Sequence, residues 1–307
     1  MRNKQSTSFP EFTIIVGTGR SGTTYLTRML RQAAKYGIPG EPKFVVSMYH
    51  RLHRFGDLQE EENLLRLVEA VHQTSAFQHL HNRRQIPSNA EEIFAKVTEP
   101  TYTGVLYATF AVLAEKWRGT RLGYKDPRDL VNMPLIAELL PTARFVHIVR
   151  DGRDYSLSVM KQIWGANNLY SGINDWRKYL KAAQRDIPTV ADRYFELRYE
   201  DFLLDTESTC HRLGTFLRPQ LSEAEIERLI NRVNTTRITD NVYGWRRKLD
   251  TRQQCLCEAV AGDMLSTYTY ERRFNDVAPV AFWTKLTYTG DDLVKRGINF
   301  LKRQQFQ

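Results

Sequence analysis

Apolar residues in this chain fall alternately into short continuous runs and into helical stripes. Phe12 to Val16 (FTIIV) is a β-rich run that ends at glycine and reads as a buried strand. The segment after it, TTYLTRMLRQAAK, places Leu26, Met29, Leu30 and Ala33 on one helical face. From about Leu58 to Trp117 the pattern is mostly helical, with LLRLVEAV and LYATFAVLAEKW as the clearest stripes. Two further strand signals are Ala143 to Val149 (ARFVHIV) and Tyr194 to Tyr199 (YFELRY), each with a helical pattern behind it. Strand followed by helix predicts parallel β-α units rather than a sandwich. The chain has no internal repeat and no low-complexity linker, so residues 1–307 are expected to form a single α/β domain. Its helical insertions would lie over the carboxyl edge of the sheet.

The last stretch, WTKLTYTGDDLVKRGINFLKRQQF, mixes aromatic and aliphatic residues with lysines and arginines. Two readings are open for this basic tail, residues 275–307. It could make peripheral contact with an anionic membrane. The expected reading is a surface helix with its apolar side on the body.

Composition adds two constraints. The net charge of +9 favours an anionic ligand or surface, without choosing among nucleotide, acidic glycan, nucleic acid and membrane. Three cysteines, Cys210, Cys255 and Cys257, give neither a disulfide framework nor a zinc spacing, which fits a reducing compartment. The N-terminus has no apolar signal region and no segment is long enough to span a bilayer, so the expected location is the cytoplasm.

The chemistry begins in IVGTGRSGTTYL. A nucleotide-hydrolysing P-loop reads G-x-x-x-x-G-K-[ST]. Gly17 and Gly22 have that spacing and Thr24 holds the Ser/Thr place, but Thr23 stands where the lysine belongs and Arg20 lies inside the loop. Glycines at both ends let successive backbone N–H groups turn inward, and the helix starting near Thr23 adds its positive end. Gly19, Arg20, Ser21, Gly22, Thr23 and Thr24 are the candidate anion ligands. A second block is HIVRDGRDYSLSVM, where Arg150 follows a buried strand and Ser158 lies eight residues later in a helix. A guanidinium there can hold a phosphate bidentately. Taken alone, Arg150, Asp151, Arg153 and Asp154 read as solvated ion pairs at a helix start.

Together the two blocks resemble the superfamily of sulfotransferases that use 3′-phosphoadenosine 5′-phosphosulfate (PAPS). GTGRSGTTYL is similar to that family's loop for the 5′-phosphosulfate, with Arg20 where many members carry lysine. IVRDGRDYSLS is similar to its 3′-phosphate segment, in which an arginine and a serine eight residues on are the contacts. Further echoes are GEP at 40–42, YKDPR at 124–128, LRYEDFLLD at 197–205 and YGWRRKL at 243–249. The resemblance covers residues 12 to about 270, is closest to the bacterial and glycan-modifying branches, and leaves out the tail. It implies a P-loop-like three-layer fold and transfer of a sulfuryl group to an acceptor hydroxyl or amine. It implies PAPS as co-substrate, PAP as product, and no metal. ATP lacks the 3′-phosphate that Arg150 and Ser158 would grip.

The resemblance also assigns roles. Arg20 and the loop amides would stabilise charge on the leaving oxygen. Glu41, about twenty residues past the loop, matches a glutamate that serves as general base. Lys125 resembles the lysine of a K-T-P element beside the donor sulfate; Asp126 departs from that element and would compete for the lysine. Tyr199 matches a tyrosine on the adenine, a packed strand-end tyrosine being the alternative. Arg246, Arg247 and Lys248 resemble a late basic element over the 3′-phosphate, with Arg246 and Lys248 as the candidate contacts. His147 is an alternative base, though its apolar strand suits a satisfied core histidine, and His50 and His53 are less readily excluded.

Two other functions compete. One is a P-loop kinase or hydrolase with a degenerate lysine, against which Arg150 stands between the apolar run and the nearest aspartate. The other is a non-catalytic module for a sulfated glycan or nucleic acid; its charges are spread out and no nucleic-acid motif occurs, so nucleic acid is not an expected partner. The insertions between Arg51 and Lys96 and the tail are expected to shape the acceptor pocket.

Overall fold

The structure, a computed structural model, describes residues 9–78, 87–218, 221–274 and 277–304. Part of the insertion between Arg51 and Lys96 and the last residues of the tail thus lie outside the described residues. Five parallel strands pair in the order β2-β3-β1-β4-β5, with β1 at Phe12–Gly17, β2 at Tyr36–Gly37, β3 at Arg121–Lys125, β4 at Ala143–Val149 and β5 at Tyr194–Arg198. β1 lies in the middle of the sheet, so its six residues are all buried. Its side chains alternate between two apolar clusters: Phe12, Ile14 and Val16 meet Phe110, Tyr124 and Phe145 on one face. Ile15 meets Leu26, Leu30, Val146, Ile148 and Leu197 on the other. Helices cover both faces, giving three layers.

Three strands lie where the apolar runs predict them, except that Tyr199 already begins the next helix. Two others carry no apolar run. β2 is two residues long, and β3 is interrupted by Gly123, whose missing side chain lets the Thr13 carbonyl approach. The Tyr102–Lys116 helix is buried on nearly every side, which explains its continuous apolar composition.

The Phe282–Gln304 helix corrects an expectation. Its polar residues, Asp291, Asp292 and Arg296, bond to the body, and its apolar residues face out. Among the described residues no helix is long and apolar enough to cross a membrane.

Candidate active site

The carboxyl ends of four parallel strands present the turns that carry the candidate residues, as ligand crevices in open α/β sheets do. β1 delivers the loop Thr18–Gly22. A Cβ on Gly17 would stand 2.6 Å from the Ile148 carbonyl, so only glycine lets the loop leave this close to β4. Ser21 is buried and donates to the Thr18 carbonyl (2.7 Å), which turns its hydroxyl into the loop's own bracing. Arg20 (φ 71°) and Gly22 (φ 99°) are both left-handed, and this bends the chain into the helix at Thr23. A Cβ on Gly22 would collide with the Tyr199 ring.

β4 delivers Arg150. Its guanidinium donates to the carbonyls of Arg20 (3.2 Å) and Asn241 (3.0 Å) and lies 4.9 Å from the Tyr199 ring centroid. Its Nε is buried without a hydrogen-bond partner among the described residues. Arg20 in turn reaches across with Nε to Ser158 Oγ (3.1 Å). The loop and the Arg150 block, 130 residues apart in the chain, are therefore one surface. Arg20, Gly22, Thr23, Thr24, Tyr25, Arg28, Arg150 and Tyr199 enclose a cavity of about 350 Å³.

A cavity of about 540 Å³ adjoins it, sharing Thr24 and Arg28 and lined also by Gly40, Glu41, Lys43 and Lys125. Lys125, at the end of β3, is largely buried and donates to Glu41 Oε1 at 2.6 Å. Asp126 does not compete for it. The Asp126 carboxylate caps its own turn and is gripped by Arg128, with Oδ2 at 2.7 Å from Nη2.

The four charges after β4 are not solvated pairs. Arg153 and Asp151 are fully buried, joined at 2.7 Å, with the guanidinium 3.5 Å over the Trp245 ring. Asp154 accepts from the backbone of Gly244 (3.1 Å) and Trp245 (2.8 Å), which ties the 243–249 segment beside Arg150. Burial, then the opposing pull of Arg150, set its carboxyl, with the net effect upward to about 6. Glu200 accepts from Asp151 N (3.0 Å) and Tyr270 Oη (2.9 Å) and links the β4 and β5 turns.

Burial, reinforced by the Asp151 carboxylate, raises Glu200 from 4.5 to about 7. The folded chain then holds a proton that the unfolded chain has released between those values, so this group's contribution to stability falls as pH rises through the window. Glu200→Gln cannot ionise and keeps an acceptor for Asp151 N. Its melting temperature is expected to gain on the wild type as pH is raised from about 4.5 to 7, measured by thermal unfolding at a series of pH values. A constant offset across that range would contradict the assignment.

The remaining candidates separate. His147 is wholly buried and bonded through Nδ1 to Tyr194 Oη (2.5 Å) and Glu196 (3.2 Å), but its Nε2 has no hydrogen-bond partner among the described residues, so it is only half satisfied, and it lines neither cavity. His50 lines a neighbouring cleft with Asp126 and Arg128, and His53 is exposed on a short 3₁₀ turn; neither lines the two cavities described above. Arg246 turns to Glu271 (2.5 Å) and Arg247 to the Asp240 carbonyl (2.6 Å), because those acceptors lie on their side of the turn. Lys248 donates to Asn241 Oδ1 (3.1 Å), the residue whose carbonyl holds Arg150. Arg28 borders both cavities and belongs to none of the sequence motifs. Its position four residues after Thr24, on the same helical face, was the available signal. Among the described residues no three His, Cys, Asp or Glu side chains group as a metal site requires.

A family model described as "Sulfotransferase family" matches residues 13–223. Omega-hydroxy-beta-dihydromenaquinone-9 sulfotransferase Stf3 of Mycobacterium bovis, and its counterpart in Mycobacterium tuberculosis, are 26% identical over 165 residues, 48% of this chain. The match spans 41% of the length of these curated relatives. The solved sulfotransferase domain from the Synechococcus PCC 7002 olefin synthase superposes with a TM-score of 0.51 at 21% identity. It covers 89% of this chain and 100% of that one. That likeness shows a shared fold.

Proposed function

This chain belongs to the sulfotransferase family, and we propose that it moves a sulfuryl group from PAPS to an acceptor hydroxyl or amine by in-line displacement. The observation that carries this reading is a pair of joined cavities. One is rimmed by the loop, Arg150 and Tyr199, and the other holds the Glu41–Lys125 pair. In this reading the N–H groups and hydroxyls at Thr23 and Thr24 hold the 5′-phosphosulfate at the helix's positive end. Arg150 and Ser158 hold the 3′-phosphate, Lys248 closes over it through Asn241, and Tyr199 walls the adenine. Arg20, bonded to Ser158, couples the two anion sites.

The acceptor enters the larger cavity. Its oxygen forms a bond to sulfur as the bond from sulfur to the bridging oxygen of PAP breaks. Glu41 takes the acceptor's proton. Lys125 donates one hydrogen bond to Glu41 Oε1 and brings positive charge beside the reacting group. The reaction needs positioning and charge stabilisation more than covalent chemistry. The same reading puts the protein in the cytoplasm, with peripheral membrane contact through the C-terminal helix.

The test is ligand-dependent thermal unfolding without magnesium. PAP is expected to raise the melting temperature, and labelled PAPS is expected to mark a product in a cell extract. A shift with ATP and magnesium but none with PAP would turn the reading toward a kinase. Gly22→Ala adds a third check. Its side chain would meet the Tyr199 ring and occupy a left-handed position, a penalty of about 1–2 kcal/mol before any clash. Loss of the PAP-induced shift is expected, with a fold still able to melt cooperatively; an unchanged shift would contradict the role of this turn.

A further inference from the structure

The Phe282–Gln304 helix is inverted relative to an ordinary surface helix, which buries its apolar stripe. Its inner side is polar. Asp291 Oδ2 accepts from the side-chain amides of Asn167 (2.6 Å) and Asn168 (3.1 Å), and Asp292 Oδ1 accepts from Asn167 N (2.6 Å). Arg296 bridges Asp175 and Asp292, each at 2.7 Å, and Tyr288 stacks on Tyr170. Phe282, Trp283, Leu286, Leu293, Val294 and Ile298 are between 47% and 74% exposed. At 3.6 residues per turn these six fall within an arc of about 160°. Gly290 and Gly297 lie in the same arc, and a Cβ on either would meet nothing within 4 Å.

On its inner side the helix reaches the segment that borders the phosphate loop. Asn299 donates to the Ile163 carbonyl (3.0 Å), Ile163 is 67% exposed, and the Trp164 ring lies 3.5 Å from where a Cβ on Gly19 would stand. An exposed apolar surface of this extent marks an interaction site. Charge selects the partner. Both acids of the helix are bonded on the inner side, whereas Lys285, Lys295 and the neighbouring Lys161 are exposed and make no ion pair among the described residues. A second copy of this face would bring lysines against lysines. Anionic headgroups around an apolar phase complement both features.

We propose that the Phe282–Gln304 helix docks on an anionic lipid bilayer, its outward apolar face in the headgroup–acyl boundary, and so seats the phosphate loop beside the membrane surface. This deepens the peripheral contact named under the proposed function and rests on it for its place in the reaction. The experiment is co-sedimentation of the full chain with vesicles of phosphatidylcholine, alone or mixed with phosphatidylglycerol. The wild type is expected to sediment with the mixed vesicles, less with phosphatidylcholine alone, and less as salt is raised. Trp283→Ser combined with Leu293→Ser removes two exposed apolar side chains and is expected to lower partitioning by roughly a hundredfold. Its melting temperature and PAP-induced shift, read without vesicles, should stay as in the wild type.

The proposal is overturned if the wild type stays in solution with both vesicle types, or if the double variant sediments like the wild type. It is equally overturned if sedimentation velocity shows a dimer that the variant abolishes while neither form binds vesicles. Vesicle binding without a PAP shift would support the docking surface and count against the sulfotransferase reading alone.

Discussion

Glu41→Gln is expected to lower kcat by about 10²–10⁴-fold while leaving PAP affinity within about twofold of the wild type. Glutamine keeps the size of the side chain and an oxygen that can accept from Lys125, so the 2.6 Å contact in the lining of the larger cavity survives. What disappears is the capacity to take a proton from the acceptor. The cavity rimmed by Arg150 and Tyr199 is not lined by Glu41, so the proposed nucleotide contacts are untouched. Steady-state kinetics with a responsive acceptor, alongside PAP titration, separates the two quantities. A residual kcat above about a tenth would leave Glu41 with an orienting role only, and a parallel loss of PAP affinity would move it out of catalysis.

Arg150→Ala is expected to weaken PAP by about a hundredfold and adenosine 5′-phosphosulfate by far less. A hydrogen bond to a charged group is worth about 1.5–3 kcal/mol, so a bidentate contact with the 3′-phosphate accounts for a loss of that order. The residue also braces the site, through the carbonyls of Arg20 and Asn241 and its place against Tyr199. Loss of that bracing harms both ligands alike. The ratio of the two losses therefore isolates the 3′-phosphate contact, and isothermal titration of both ligands gives it. Equal losses would remove the assignment.

Several residues of the candidate site are readable in the sequence because their signals are local. The turn from FTIIV through GTGRSG to a helix states its own geometry, since Gly17 and Gly22 leave room that a Cβ would fill. Arg150 and Ser158 stand out through their strand-end and helical placement. Arg28 gives no such signal, because an exposed arginine on an amphipathic helix looks like any solvated charge. It matters only once Glu41, Lys125 and Thr24 surround the same space. By adjacency alone Asp126 is a rival for Lys125, yet successive side chains on an extended chain point to opposite sides, and Arg128 lies on the side of Asp126.

Along the chain, apolar spacing determines the α/β class, β1, β4 and β5, and the glycine spacing determines the turn after β1, because each depends on neighbours within a few residues. The pairing of β2 and β3 was decided elsewhere. β2 is two residues long and β3 is carried by contacts with Thr13 and Ile38 around Gly123, so neither needs an apolar run of its own. The partners of Arg246, Arg247 and Lys248 were likewise set by which acceptor each could reach. The C-terminal helix makes the distinction plainest. Its periodicity recorded that one side is apolar, but which side meets the body was settled by Asp175, Asn167 and Asn168, more than a hundred residues away, whose hydrogen bonds fit the polar side. A periodic pattern encodes the two faces of an element, and the element's orientation belongs to the distant groups that can satisfy one of them.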